Sequence, residues 1–256
     1  MSVLPPPLAP PTEEGAIAWH CAAVIALDAY RATGRRYDAY RAAGIYSQPP
    51  IIELDHNQIP DTLHPMWEIV RRLPTFADTG LPYDGPIGLL EEFGHWRMAL
   101  AHRFAYCILT PADIAWIVRR LNGRPVVEVG AGLGYWAWQL TQAGATVDAS
   151  DLTPPDPQRT FVSIRQAAAD QAAASAGDAA LMMVWPPHDD PMAHDALTAY
   201  RGDLVIVCTE FRRDPCAADN AFLEALRADW KPVGISPGHI SWHYLTDVHL
   251  AAYTRK

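Results

Sequence analysis

The chain has 256 residues, half of them hydrophobic, which is enough apolar material for one large domain or for one domain with a cap. It carries 20 basic and 29 acidic residues, and its formal net charge at pH 7 is −9. Nucleic-acid binding needs a basic patch that neutralises phosphates, whereas the arginine pairs of this sequence are scattered. Charge therefore disfavours DNA and RNA as partners.

The cysteines and the amino-terminal sequence indicate the compartment. Cys21, Cys107, Cys208 and Cys216 form no C-x-x-C pair and are interpreted as reduced thiols, with Cys208 as buried apolar filler. The proline-rich start lacks the basic region of a signal peptide, and the apolar stretch 16–32 is interrupted by polar residues and is too short to span a bilayer. We therefore expect a soluble, cytoplasmic protein without a membrane partner, and a homodimer is left open.

Residues 1–14 are expected to form a flexible, proline-rich arm, and residues 15–109 a helical region. Because this region is rich in aromatic side chains, we interpret it as a cap that selects a substrate and excludes water. His95 follows Glu92 in an E-x-x-H pattern, which occurs in di-iron bundles, but the second copy that such bundles need is missing. No metal site is expected, and His95 is instead a candidate substrate contact.

From residue 110 onward, strand and helix patterns alternate. Thr110, Pro111 and Asp113 predict the start of a helix that runs to about Leu121. The alternation predicts an α/β domain over residues 110–256, with a largely parallel sheet and helices on both faces. The expected strands are 125–129, 146–150, 160–164, 181–185, 204–209, 232–237 and 249–254, and the expected helices between them are 135–143, 165–176, 191–200 and 219–230.

The stretch 126–140, VVEVGAGLGYWAWQL, combines a strand pattern, a glycine turn and a helical pattern. Glu128 lies near the strand end, and Gly130, Gly132 and Gly134 follow at alternate positions. Glycines let the backbone pass close to a ligand without clashes from a Cβ atom. In a dinucleotide-binding fingerprint the third glycine would fall at position 135, where this chain has Tyr135. An NAD-dependent dehydrogenase is therefore a minor alternative.

A second acidic residue follows roughly 20 residues after the glycine turn, the distance expected for an acid at the end of the second strand. Asp151 ends the pattern ATVDASD, where a carboxylate would accept hydrogen bonds from two ribose hydroxyls. Asp148 competes for this role but would lie in the middle of the strand. Leu152 comes next and is expected to pack on an adenine ring.

Glu128, the G-x-G-x-G turn and the second acid together resemble the cofactor motifs of class I S-adenosylmethionine (SAM)-dependent methyltransferases. The resemblance covers roughly residues 106–256. It implies a seven-stranded, mostly parallel Rossmann-like sheet whose seventh strand is antiparallel, with SAM as cofactor and S-adenosylhomocysteine as product. The predicted cofactor contacts are Glu128, Gly130, Gly132, Gly134, Tyr135, Asp151, Leu152, Trp185 and Tyr106.

The predicted fourth strand ends in W-P-P-H, residues 185–188, which resembles the (D/N)-P-P-Y loop of methyltransferases acting on amino nitrogens. Trp185 offers no acceptor oxygen and His188 replaces the tyrosine, so this sequence departs from amino-group recognition of that type. The W-P-P end also resembles a group of bacterial class I methyltransferase-like proteins, which implies nothing about the acceptor.

Three residues near these strand ends are candidates for substrate binding. Trp185 is expected to stack on a flat substrate or to face the sulfonium of SAM. His188 is the candidate general base, because imidazole titrates near pH 6.5. Glu210 ends the fifth strand and is a candidate contact to a substrate amine.

These observations favour a SAM-dependent methyltransferase that acts on a small-molecule acceptor, in a biosynthetic pathway. A nucleic-acid amino-methyltransferase stays open as an alternative, although the acidic balance and Trp185 disfavour it. Two other functions also fit the motifs. The protein could bind SAM without catalysis, as a sensor or a partner of another protein, or it could use the sulfonium charge of SAM for a different reaction. The sequence specifies neither the acceptor nor the atom that is methylated.

Overall fold

The computed structural model describes residues 63–70, 100–212, 215–241 and 248–256. The chain divides into two compact units, Met1–Arg103 and Phe104–Lys256. In the first unit the described part contains helix α1 (Pro65–Val70) and a helical segment at residues 100–103. Most of the expected helical region 15–109, including His95, lies outside the described residues. No helix in the described ranges has the length and apolar character needed to cross a bilayer.

The second unit contains a seven-stranded sheet in the order β3-β2-β1-β4-β5-β7-β6. The strands β1 to β5 pair in parallel, whereas β7 pairs antiparallel with both β5 and β6. This topology confirms the predicted mostly parallel Rossmann-like sheet with its antiparallel seventh strand. The strands are β1 (Val126–Val129), β2 (Val147–Asp151), β3 (Arg165–Gln166), β4 (Ala180–Val184), β5 (Leu204–Glu210), β6 (Trp230–Ile235) and β7 (Val248–Arg255). The helices are α2 (Pro111–Leu121), α3 (Tyr135–Gln142), α4 (Ala169–Ala174), α5 (Met192–Ala199) and α6 (Asn220–Asp229).

The central strands β1, β4 and β5 are buried except for the last residue of β4, which is typical of a parallel sheet covered by helices on both faces. Every residue of β1 and β5 is buried. Side chains alternate between the two faces of a strand. Val127 and Val205 belong to the core that packs against α4, α5 and α6. Glu128 and Cys208 therefore lie on the opposite face of the sheet.

The start of α2 has the predicted capping. The Thr110 hydroxyl accepts the Asp113 N–H at 3.0 Å, and the Asp113 carboxylate accepts the Thr110 N–H at 3.2 Å. Pro111 occupies the first helical position, where its missing N–H costs no helical hydrogen bond. These contacts fix α2 at the point where the chain enters the sheet domain.

Tyr200 pins the connection between α5 and β5. Its hydroxyl oxygen lies 2.6 Å from the Ala179 carbonyl oxygen and 3.0 Å from the Leu204 carbonyl oxygen. Its ring stacks on Trp230 with a centroid distance of 6.0 Å. Because the side chain is fully buried, these hydrogen bonds satisfy a hydroxyl that water does not reach.

The third strand is shorter than predicted and lies later in the chain. Residues 160–164 form no strand, and β3 consists of two residues that pair with Ser150 and Asp151. Residues 160–164 cover the glycine turn instead. The Phe161 N–H donates to the Leu133 carbonyl at 2.9 Å, and side chains of this segment fill the space beside Gly134. The helix expected from residue 165 begins only at α4, because residues 165–166 pair with β2.

The sixth strand begins at Trp230, which the sequence pattern assigns to the end of the preceding helix. Its pairing with β7 shifts register between Pro232 and Gly234. Proline has no N–H to donate to the strand ladder, which accounts for the irregularity at this position. Strand β6 thus begins two residues earlier than predicted, and it also ends two residues earlier, at Ile235.

Candidate functional site

The connection from β1 to α3 is a tight turn built on three glycines. Gly130, Gly132 and Gly134 have φ angles of +69°, +55° and +72°, which residues with a Cβ atom adopt only at a cost. The Ala131 N–H donates to the Ser150 carbonyl at 2.9 Å, which ties the turn to the end of β2. The turn therefore lies at the carboxyl edge of the sheet, where ligands of open α/β sheets bind.

The three glycines have different surroundings. A Cβ atom at Gly130 would lie 2.3 Å from the Met192 Cε atom, and one at Gly134 would lie 2.7 Å from the side chains of Val162 and Ile164. A Cβ atom at Gly132 would meet no atom of the described residues within 4 Å. Gly132 is thus the turn glycine that has no described side chain against it, whereas Gly130 and Gly134 lie against neighbouring side chains. The sequence pattern does not reveal the contact with Met192.

Glu128 is a buried carboxylate with an incomplete set of partners. It is 2% exposed, and its Oε2 atom has no hydrogen-bond partner among the residues that the structure describes. Burial raises the pKa of Glu128 from 4.5 to about 8; the backbone N–H of Ala137 opposes this rise, and the charge of Asp151 adds to it. A buried hydrogen-bond acceptor without a partner destabilises the folded protein, so binding of a ligand that places a donor group against Oε2 would be favourable.

Asp151 and Asp148 have different environments, although they share strand β2. The Asp151 Oδ2 atom accepts the Gly132 N–H at 3.0 Å, and its Oδ1 atom accepts the Thr153 N–H at 3.0 Å. A carboxylate has about four lone-pair sites, so Asp151 keeps acceptor capacity for further donors. Asp148 instead forms an exposed ion pair with Arg165 at 2.7 Å. Leu152, beside Asp151, is 66% exposed.

The end of β4 has a strained backbone. Trp185 and Asp189 both have a φ angle of +51°, a left-handed conformation that costs a residue other than glycine about 1–2 kcal/mol. The Trp185 N–H donates to the Cys208 carbonyl at 2.8 Å, and the Pro186 carbonyl accepts the Ala218 N–H at 2.8 Å. Strain of this kind clusters at functional sites, where the surrounding structure maintains it.

His188 and Glu210 differ in accessibility. The His188 side chain is 53% exposed, and its Nε2 atom lies 3.1 Å from the Asp189 Oδ2 atom. Glu210 is 1% exposed and is used within its own loop. Its Oε2 atom accepts the Cys216 N–H, and its Oε1 atom lies 3.5 Å from the Arg212 Nε atom. Both carboxylate oxygens of Glu210 therefore contact the loop that follows β5.

The aromatic candidates Tyr135 and Tyr106 differ in exposure. Tyr135 is fully buried, and its ring centroid lies 5.2 Å from that of Phe104 and 5.1 Å from that of Phe161. The Tyr135 side chain therefore packs in an aromatic cluster and does not face open space at the glycine turn. Tyr106 is 41% exposed. His95 is outside the described residues.

One polar network was not predicted from the sequence. The His239 Nε2 atom lies 3.6 Å from the Cys208 Sγ atom, and its Nδ1 atom lies 3.1 Å from the Asp113 carboxylate. The Ser236 hydroxyl donates to the same carboxylate at 2.6 Å. Burial, followed by a hydrogen bond with Cys107, raises the pKa of Cys208 well above its usual value. The network links the loop after β6 to the start of α2 and ends at a thiol that burial keeps protonated.

No family model matches the sequence, and the search of curated proteins finds no match. Among solved structures, the chain resembles a 1,6-didemethyltoxoflavin-N1-methyltransferase of Burkholderia thailandensis at 18% identity and a TM-score of 0.41, with 68% of this chain and 93% of that chain covered. It also resembles a magnesium protoporphyrin IX methyltransferase of Synechocystis PCC 6803 at 12% identity and a TM-score of 0.40, with 68% and 90% covered. A glycopeptide N-methyltransferase has 12% identity and a TM-score of 0.37, with 57% and 89% covered. Likeness at this level has no bearing on the ligand or the reaction of this chain.

Proposed function

We propose that this protein is a SAM-dependent methyltransferase that binds SAM at the glycine turn. The observation that supports this best is the glycine turn itself: among the described residues no side chain lies against Gly132, the Gly132 N–H donates to Asp151, and Glu128 on the preceding strand has a buried oxygen atom without a partner. In this proposal Glu128 accepts a hydrogen bond from the α-ammonium group, and Asp151 accepts hydrogen bonds from the ribose hydroxyls. The exposed Leu152 side chain offers an apolar surface for the adenine ring.

We further propose that the acceptor is a small molecule bound beside the end of β4. SAM would supply an electrophilic methyl group, and the chain would hold the acceptor in line with it. The exposed His188 imidazole would take the proton that the acceptor loses, with Asp189 at 3.1 Å to stabilise the imidazolium. Trp185 and Tyr106 would border the cofactor, and Glu210 would order the loop beside the acceptor. His95 stays a sequence prediction for acceptor contact.

Titration calorimetry with SAM, S-adenosylhomocysteine and NAD tests the cofactor. We expect micromolar binding of the two adenosyl ligands and none of NAD. Asp151→Ala removes charge-assisted hydrogen bonds worth about 1.5–3 kcal/mol, so the affinity should fall at least about tenfold. Asp148→Ala is the matched control, because it removes a carboxylate from the same strand that contacts Arg165 instead of the glycine turn. Absence of binding, or an equal loss in both variants, would contradict the proposal.

Transfer of a labelled methyl group to small-molecule acceptors tests catalysis separately from binding. General-base catalysis typically contributes about 10²–10⁴-fold, so His188→Ala should lower the transfer rate by this amount while the affinity for S-adenosylhomocysteine stays unchanged. A protein that binds SAM but transfers its methyl group to none of the acceptors would favour the sensor alternative.

A further inference from the structure

Among the described residues, the one group that favours the charged form of Glu128 is the backbone N–H of Ala137. Its neighbours in register are Ala149 on β2 and Met182 on β4, neither of which is ionisable. From α3 it receives the Ala137 N–H, and the charged group that acts on it among the described residues is Asp151, also an acid. No described cation contacts its Oε2 atom. A carboxylate in such surroundings is more stable with its proton, because burial penalises the charged form.

We propose that Glu128 is protonated in the ligand-free protein and releases this proton to solvent when the α-ammonium group of the cofactor contacts its Oε2 atom. This inference rests on the proposed function, since it needs an adenosyl amino acid at the glycine turn. The O–H bond of the carboxylic acid breaks, its proton passes to the buffer, and the resulting carboxylate accepts an N–H hydrogen bond from the ammonium group. Binding is then coupled to the release of one proton.

Glu128 releases its proton because the incoming α-ammonium group is positively charged. A cation within hydrogen-bond distance favours the ionised form of a carboxylic acid and offsets the penalty of burial. An α-amino group titrates near pH 8 at the end of a peptide and higher beside a free carboxylate, so at pH 6.5 that of the ligand arrives as a cation. At this pH Glu128, with a pKa of about 8, is almost fully protonated in the empty site. Close to one proton should therefore leave for each ligand bound.

Calorimetry in buffers of different ionisation enthalpy counts these protons. For S-adenosylhomocysteine at pH 6.5 we expect about one proton released by the wild-type protein. The dissociation constant should fall about tenfold between pH 5.5 and pH 6.5, because release of one proton gives this slope. Glu128→Gln should bind more weakly, with no proton released and a dissociation constant that changes less than about twofold over the same interval.

A second ligand provides a control on the wild-type protein and does not depend on the folding of the variant. 5′-Methylthioadenosine keeps the adenosine part but lacks the amino acid end, so it should bind without releasing a proton. Equal proton release by both ligands would assign the proton to another group and overturn the inference. Binding of S-adenosylhomocysteine without proton release would overturn the inference and leave the proposed function intact, whereas absence of any binding would overturn the proposed function itself.

Discussion

Replacing Glu128 by glutamine should change how the stability of the ligand-free protein depends on pH. The folded state raises the pKa of Glu128 from 4.5 to about 8. Between these values the folded protein binds a proton that the unfolded chain does not, so each pH unit removes about 1.4 kcal/mol of stability from the wild-type protein. From pH 5 to pH 8 this amounts to about 3.5 kcal/mol, because the group is already half ionised at pH 8. Glutamine does not ionise, so the variant should lack this loss.

Urea denaturation at several pH values between 5 and 8 measures the effect. The free energy of unfolding of the wild-type protein should decrease relative to that of Glu128→Gln as the pH rises. Glu224→Gln, which removes an exposed carboxylate from α6, is the control for a change in net charge and should follow the wild-type curve. Parallel curves for wild type and Glu128→Gln would refute the account of a buried, protonated Glu128.

Three further substitutions test the packing of the glycine turn and of the sheet. Gly130→Ala should destabilise the protein because its φ angle is +69° and because its Cβ atom would displace the end of the Met192 side chain. The double variant Gly130→Ala/Met192→Ala should recover the part of the loss that is due to Met192; additive melting shifts would exclude this contact. Gly132→Ala should cost only about 1 kcal/mol of stability yet lower the affinity for S-adenosylhomocysteine at least tenfold, and unchanged affinity would argue against ligand approach there. Tyr200→Phe should lower the free energy of unfolding by about 1–3 kcal/mol in urea titrations, and a neutral result would mean that its hydroxyl contacts are dispensable.

The features that the sequence predicts well are local in the chain. The pattern of strand, glycine turn and helix at 126–140 involves neighbouring residues, so the spacing alone predicts the tight turn, in which the structure gives all three glycines positive φ angles. The alternation of strands and helices likewise predicts the parallel sheet, because a parallel strand pair needs a crossover connection. The capping of α2 by Thr110 and Asp113 depends on residues three positions apart.

The features that the sequence does not predict depend on contacts between distant segments. Residues 160–164 have the apolar pattern of a strand, but they cover Gly134 instead of pairing with β2. His239 contacts Cys208 and Asp113, which are 31 and 126 residues away in the chain. Spacing rules do not reach over such distances, so the interpretation of Cys208 as apolar filler misses its polar partner.

A crystal structure of the protein with S-adenosylhomocysteine would show whether the glycine turn binds the cofactor. We expect the ribose hydroxyls within hydrogen-bond distance of the Asp151 carboxylate, the α-ammonium group within hydrogen-bond distance of the Glu128 Oε2 atom, and the ligand next to the Gly132 backbone. A ligand bound elsewhere, or bound at the glycine turn with its ammonium group away from Glu128, would contradict this binding mode.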